Sequence, residues 1–304
     1  MPKRTAGALA SAVLLCVLAA CSRQSSTDTS ATPGPDGASA AAASPSAAAA
    51  PAGDAAASPA ADAAASAPAT GAAAGSGGAQ VSYTDVAGAL AAPQIHDLAV
   101  LGVFDSTSGA FHPLATITRG EFVEWLVKAN NAIYGADPAK QIRLAEGTTA
   151  TFPDVPAGSP YFKYVQGMND AGYAVGFGDK LFHPDDTLTR EQLLALKIGV
   201  DAGQVPNRSD SDMNSEWNYV PNWTDKATIE KRYRPAFIEG YYSYDKFGNT
   251  GRIWGTLKTL GALKPVTRED AALAVSSFYP HDQNGSPTTA AQAVAKLAAA
   301  TPTP

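Results

Sequence analysis

The chain has 304 residues, with 22 basic against 28 acidic side chains and only two cysteines, Cys16 and Cys21. A net charge of −6 without a basic cluster argues against nucleic-acid binding, and two cysteines cannot build a disulfide framework or a thiolate metal site. Any anionic ligand is therefore caught by individually placed arginines rather than by a general positive field.

In chain order, Lys3 and Arg4 precede an apolar run from about Ala8 to Ala19. It is too short to span a bilayer permanently and has the length of a signal-peptide core. The run closes on Leu18-Ala19-Ala20-Cys21, which resembles the lipobox of bacterial lipoproteins. The resemblance implies a lipoprotein signal peptide over residues 1–20 and diacylation of Cys21 as the mature N-terminus. Two or more acyl chains anchor stably where one is marginal. Ser22 follows rather than Asp, similar to the Gram-negative pattern for the outer membrane. The alternative is an ordinary secretory signal cut at an Ala-x-Ala-like site, with Cys21 incidental. Removal of the leader also removes Cys16, Lys3 and Arg4, leaving 20 basic against 28 acidic residues and a net charge near −8.

Residues 21–80 are expected to be a lipidated cysteine and a disordered tether. From Ser25 to Gln80 no aliphatic side chain is larger than Ala, so nothing can bury enough apolar area to offset ordering entropy. Pro and Gly interrupt the Ala runs before a helix can nucleate. A flexible coil of about 60 residues spans roughly 40–50 Å on average and up to about 200 Å when stretched.

Residues 81 to about 280 suffice for one domain with a core, and they repeat a phrase three times: Ile117-Thr118-Arg119-Gly120-Glu121, Leu188-Thr189-Arg190-Glu191-Gln192 and Val266-Thr267-Arg268-Glu269-Asp270. Thr followed three residues later by Glu, Gln or Asp, ahead of an apolar run, predicts a helix N-cap with a capping box or a relative of one. Each Arg then falls in the first helical turn, where a cation is mildly unfavourable, so each is expected to have an anionic partner. Phe111 to Arg119 matches Phe182 to Arg190 at six of nine positions with an offset of 71. Upstream, Tyr83-Thr84-Asp85-Val86 matches Phe152-Pro153-Asp154-Val155, with Trp223-Thr224-Asp225 a third copy. Between them lie helical patterns: Ile95, Leu98, Ala99 and Gly102, then Val165, Met168 and Gly172, then Trp254, Leu257 and Gly261. Each unit is thus an Asp-containing lead, a helix, a loop and a second helix, over 81–140, 150–205 and 220–280, with a tail at 281–304. Neighbours in such repeats bury one another's apolar faces.

The order aromatic-x-Asp-Val, helix, Phe-x-Pro, Thr-Arg-x-Glu resembles the S-layer homology domain. The resemblance implies a mainly α fold in which three helix–loop–helix repeats form a pseudo-threefold bundle. It also implies non-covalent binding of cell-wall glycans, often through carboxylate-bearing sugars. The family's ligand-facing positions fall on Thr118, Arg119, Thr189, Arg190, Thr267 and Arg268, where guanidinium forks beside helix N-terminal amides would form a carboxylate site. Departures are expected in the third unit. Gly261 stands only seven residues before Arg268, against seventeen and eighteen for Gly102 and Gly172, so the Phe-His-Pro loop looks missing. A Tyr-rich insertion looks to separate Asp225 from a helix near Trp254. Arg268 is accordingly expected to matter least for binding.

An alternative role for the three arginines is a salt bridge to Asp85, Asp154 and Asp225, pinning one unit to the next. His112 and His183 are expected to be packed loop residues rather than zinc ligands. Asp210-Ser211-Asp212-Met213-Asn214 echoes the opening of a calcium loop but lacks the later Gly and Glu. Trp217, Tyr219, Trp223, Tyr233, Tyr241 and Tyr242, interspersed with Glu216, Glu230 and Glu239, could line a glycan-cleaving cleft, yet supply no obvious catalytic pair. An Ala-rich helix around Thr289 to Ala299 is expected to dock as a cap or fray. The expectation is therefore a cell-envelope lipoprotein of the outer membrane, facing the periplasm and binding peptidoglycan or a wall-associated acidic polysaccharide. It has no catalysis, cofactor or metal; the alternative is a scaffold contacting another envelope protein.

Overall fold

The computed structural model describes residues 80–135, 137–173, 176–241, 248–279 and 286–300; the leader, Cys21 and the tether, with the expectations placed on them, lie outside these. The architecture is mainly helical. A two-residue parallel pairing of β1 (Ser82–Tyr83) with β2 (Ser108–Gly109) brackets α1 (Ala92–Val100). There follow α2 (Arg119–Ile133), α3 (Phe162–Asp170), α4 (Arg190–Ala202), α5 (Asp210–Glu216), α6 (Arg234–Glu239), α7 (Gly248–Trp254) and α8 (Arg268–Val275). The antiparallel pair β3 (Ser277–Phe278) and β4 (Thr288–Thr289) leads into α9 (Ala290–Ala300).

Each Thr-Arg phrase starts a helix, at α2, α4 and α8. Thr118 Oγ accepts from the Glu121 amide at 3.2 Å and Thr267 Oγ from the Asp270 amide at 3.1 Å. Asp270 returns the contact to the Thr267 amide at 3.4 Å, as Gln192 does to the Thr189 amide at 3.4 Å, so the capping-box chemistry is present.

The residues just before these caps interlock in a closed cycle. The Ile117 amide donates to Val266 O at 3.1 Å, Val266 to Leu188 O at 2.9 Å, and Leu188 to Ile117 O at 3.0 Å. All three side chains are buried, so three strand-like segments remote in sequence meet around one apolar centre. Helix packing follows the same order. Each Thr-Arg helix lies on the helix after the next Asp lead: α2 on α3, α4 on α6, and α8 on α1. The contacts are specified at the helix starts. The Ala91 amide donates to Glu269 Oε1 at 2.9 Å and the Glu230 amide to Glu191 Oε2 at 3.0 Å. At the third joint the acid is replaced by Gly120, where the Tyr161 ring fills the space; an added Cβ would come within 2.6 Å of it.

Two expectations for the third segment are corrected. The helix following Asp225 is α6, reached through a short 3-10 turn at Lys231–Tyr233, and not a helix carrying Leu257 and Gly261. The additional chain lies after α6, and of its tyrosines Tyr242 and Tyr244 are outside the described residues. Gly261 is not a helix-ending glycine equivalent to Gly102. It matches His112 and His183: Phe111, Phe182 and Leu260 each stand eight residues before their Arg. The next residue is left-handed in every case, with φ of 58° at His112, 57° at His183 and 67° at Gly261. The loop is present, with Leu-Gly-Ala in place of Phe-His-Pro.

Asp210 to Asn214 is not a cation loop but part of α5, capped by Ser209 Oγ accepting from the Asp212 amide at 3.1 Å. The C-terminal helix α9 docks on α1 and α2 through Ala290 and Ala293. Among the described residues no helix is long and apolar enough to cross a membrane, and no group of three or more His, Cys, Asp or Glu could hold a metal ion.

Candidate functional site

The three Asp leads spend their carboxylate oxygens on backbone amides. Asp85 accepts from the amides of Phe111 and His112 at 2.7 Å each; Asp154 takes those of Phe182 and His183; Asp225 takes Leu260 at 2.9 Å and Gly261 at 2.7 Å. Each carboxylate clamps the left-handed loop that follows in its own unit, which overturns the Arg–Asp strut. The amide bonds, that of Phe111 above all, hold the Asp85 carboxyl below its ordinary value of 3.8. A folded pKa below the unfolded one gives stability that is present above the unfolded value and lost as pH falls through the folded one. Thermal melts of wild type and Asp85→Asn should therefore differ at neutral pH and converge below about pH 4. A gap that stays constant down to pH 2 would contradict this role.

The clamped loops present their carbonyls to the Thr-Arg helix of the preceding unit, taken cyclically. The first two helical amides are taken in every case: Arg119 and Gly120 by Asp186 O and Pro184 O, Arg190 and Glu191 by Lys264 O and Ala262 O, Arg268 and Glu269 by Ala115 O and Pro113 O. The helix N-termini are thus already occupied. A carboxylate site at these helices would therefore rest on the guanidinium rather than on the first two helical amides, which a neighbouring loop already engages.

The arginines follow the same cycle but differ in access. Arg119 is 3% exposed; its Nε donates to Phe182 O at 3.0 Å, and its guanidinium carbon lies 4.5 Å from the Phe182 ring centroid and 4.9 Å from that of Phe177. Burial pushes its pKa down to about 10, which leaves it cationic at neutral pH. A cavity of about 70 Å³ adjoins it, lined also by Tyr173, Arg232 and Tyr233. Arg190 donates to Leu260 O at 2.8 Å and lies 4.4 Å from the Trp254 ring. Thr118, Thr189 and Thr267 stand at the N-caps, and the hydroxyls of Thr118 and Thr267 accept from amides in the first turn.

Arg268 is the most ligand-like of the three. Its Nε donates to Phe111 O at 2.8 Å, Nη1 meets the Glu121 carboxylate, and the guanidinium stacks 4.7 Å from Trp125 and 5.0 Å from Phe111. Its side chain is 22% exposed at a polar groove of about 170 Å³ shared with Tyr83, Asp105, Ser106 and Trp125. The aromatic wall is held by Phe104, whose ring centroid lies 4.5 Å from Trp125 and 5.0 Å from Phe111. Sequence reasoning named Arg268 but missed Trp125 and Glu121. The constant eight-residue step from Phe111, Phe182 and Leu260 to the Arg would have shown that the loop is intact.

The carboxylates weighed for glycan cleavage are engaged elsewhere. Glu216 and Glu239 both bind Arg208, and Glu230 binds Arg232 at 2.8 Å. Trp217 and Trp223 pack on Phe237 with centroids 6.3 and 6.0 Å apart.

Helical segments that clamp their own loops with Asp and lend them to the Thr-Arg helix of the preceding unit define a helical repeat module. The S-layer homology domain family matches residues 151–194, from the Phe152-Pro153-Asp154-Val155 lead through α3 and the Phe182-His183-Pro184 loop into α4. The chain therefore contains a segment that matches the S-layer homology domain. Domains of this family are binding modules that attach proteins to cell-wall polymers, which associates the chain with the cell envelope. No curated protein matches the chain.

Proposed function

We propose that the chain is a lipid-anchored outer-membrane protein that staples membrane to wall, with residues 21–80 linking the anchor to three S-layer homology repeats around a pseudo-threefold axis. The repeats occupy residues 81–140, 150–205 and 220–280, and the closed hydrogen-bond cycle of Ile117, Leu188 and Val266 supports that arrangement. The ligand is peptidoglycan or a wall-associated acidic polysaccharide on the periplasmic side, bound without catalysis or cofactor. The observation that carries the reading is the Arg268 groove. A partly exposed guanidinium stacked on Trp125 offers a flat, aromatic-backed seat for a sugar ring, and the Glu121 carboxylate on that guanidinium occupies the place that a ligand carboxylate would take. The buried Arg119 and the Trp254-covered Arg190 serve mainly to lock neighbours.

Purified sacculi, with and without their acid-labile polymer, incubated with the chain from Ser22 onward test the proposal. Retention by intact sacculi is expected; loss on stripping assigns the acidic polymer, and retention after stripping assigns peptidoglycan. Failure to bind either would sink the reading. The anchor is tested separately. Cys21→Ser should move the protein from the membrane to the soluble fraction, and unchanged membrane association would refute lipidation at that residue.

A further inference from the structure

Helix α4 carries a lysine that solvent never reaches. Lys197 and Asp201, one turn apart, have fully buried side chains joined at 2.5 Å. The carboxylate is a junction: Oδ1 also accepts from the Tyr279 amide at 3.1 Å, and Oδ2 accepts from the side-chain amide of Asn249 at 3.2 Å. Asn249, on α7, is itself 1% exposed, and Nη2 of Arg252 donates to its Oδ1. The Phe278 ring lies 4.2 Å from the lysine nitrogen. An amine and a carboxamide are thus held on the two oxygens of one carboxylate, in dry surroundings, with a guanidinium on the carboxamide oxygen.

That set holds the three groups acyl transfer needs: a nucleophile, a proton carrier beside it and a donor where negative charge develops. Burial supplies the activation, since an ion pair deprived of water is relieved when the proton moves from nitrogen to carboxylate and both groups become neutral. We propose that Lys197 and Asn249 are joined by an intramolecular isopeptide bond formed with Asp201 as proton carrier. Lys197 passes one proton to Asp201, and its freed electron pair attacks Cγ of Asn249. The carbonyl pair shifts onto Oδ1, held by Arg252. Asp201 delivers its proton to Nδ2, the Cγ–Nδ2 bond breaks, and ammonia leaves. The second proton shed by the lysine nitrogen passes through Asp201 and departs with the ammonia as ammonium. One C–N bond forms and one breaks, with no change of oxidation state. Exclusion of water protects the product from hydrolysis, and the link fastens α7 to α4 covalently.

Tryptic mass spectrometry of the purified full chain decides the matter. A free Lys197 is a cleavage site and yields peptides 191–197 and 198–208. The expected product is instead a branched peptide joining 191–208 to 247–252, lighter than their sum by one ammonia. Recovery of the two linear lysine peptides from folded wild type, with no branched species, overturns the proposal whatever the variants do. Asp201→Asn should abolish the branched peptide while leaving Lys197 and Asn249 in the chain; its persistence in that variant would overturn the role given to Asp201.

Discussion

Arg119→Ala is expected to unfold the domain early rather than to weaken wall binding selectively. The substitution empties a buried site against Phe177 and Phe182 and leaves Phe182 O without its guanidinium donor. Loss of packed volume, a charged hydrogen bond and two ring contacts together cost on the order of 3–5 kcal/mol. For a domain of this size that lowers Tm by roughly 10 °C. Calorimetry of the purified variant checks this, and a Tm within about 2 °C of wild type would contradict the assignment of Arg119 as a buried joint.

Asp154→Ala should produce the second large loss, about 2–4 kcal/mol, because two backbone amides at the left-handed His183 loop lose a charged acceptor. That loop is the one whose Phe182 carbonyl receives Arg119 and whose Pro184 and Asp186 carbonyls cap α2. The two substitutions therefore act on one structure. Urea unfolding of the double variant should show less destabilisation than the sum of the singles, by at least about 0.5 kcal/mol. Strict additivity would mean that Asp154 does not order the surface that Arg119 holds.

The Thr-Arg phrase was legible because capping is local chemistry: a hydroxyl, an amide three residues on and the side chain between them. The recurrence of Asp with each Arg was legible too, but not its meaning. Counting shows that Asp85, Asp154 and Asp225 travel with the arginines, whereas only coordinates show that each Asp holds the loop of its own unit while each Arg holds the loop of the next. The third segment was misread for a specific reason. Gly261 was equated with the glycines that end helices, since both need positive φ, and the eight-residue step from Leu260 to Arg268 was overlooked. Lys197, Asp201 and Asn249 left no local trace, because their junction brings together residues 48 apart.

In the proposed function Arg268, paired with Glu121 in the free protein, captures an acidic wall polymer. Glu121→Gln and Arg268→Gln make the most direct test, because capture at this groove requires effects of opposite sign. Sacculus binding is measured on the chain from Ser22 onward, with each variant verified as folded. Removing the competing carboxylate in Glu121→Gln should tighten binding several-fold, whereas removing the guanidinium in Arg268→Gln should weaken it by on the order of tenfold. Wild-type binding by both variants, or equal weakening in both, would contradict capture at this groove.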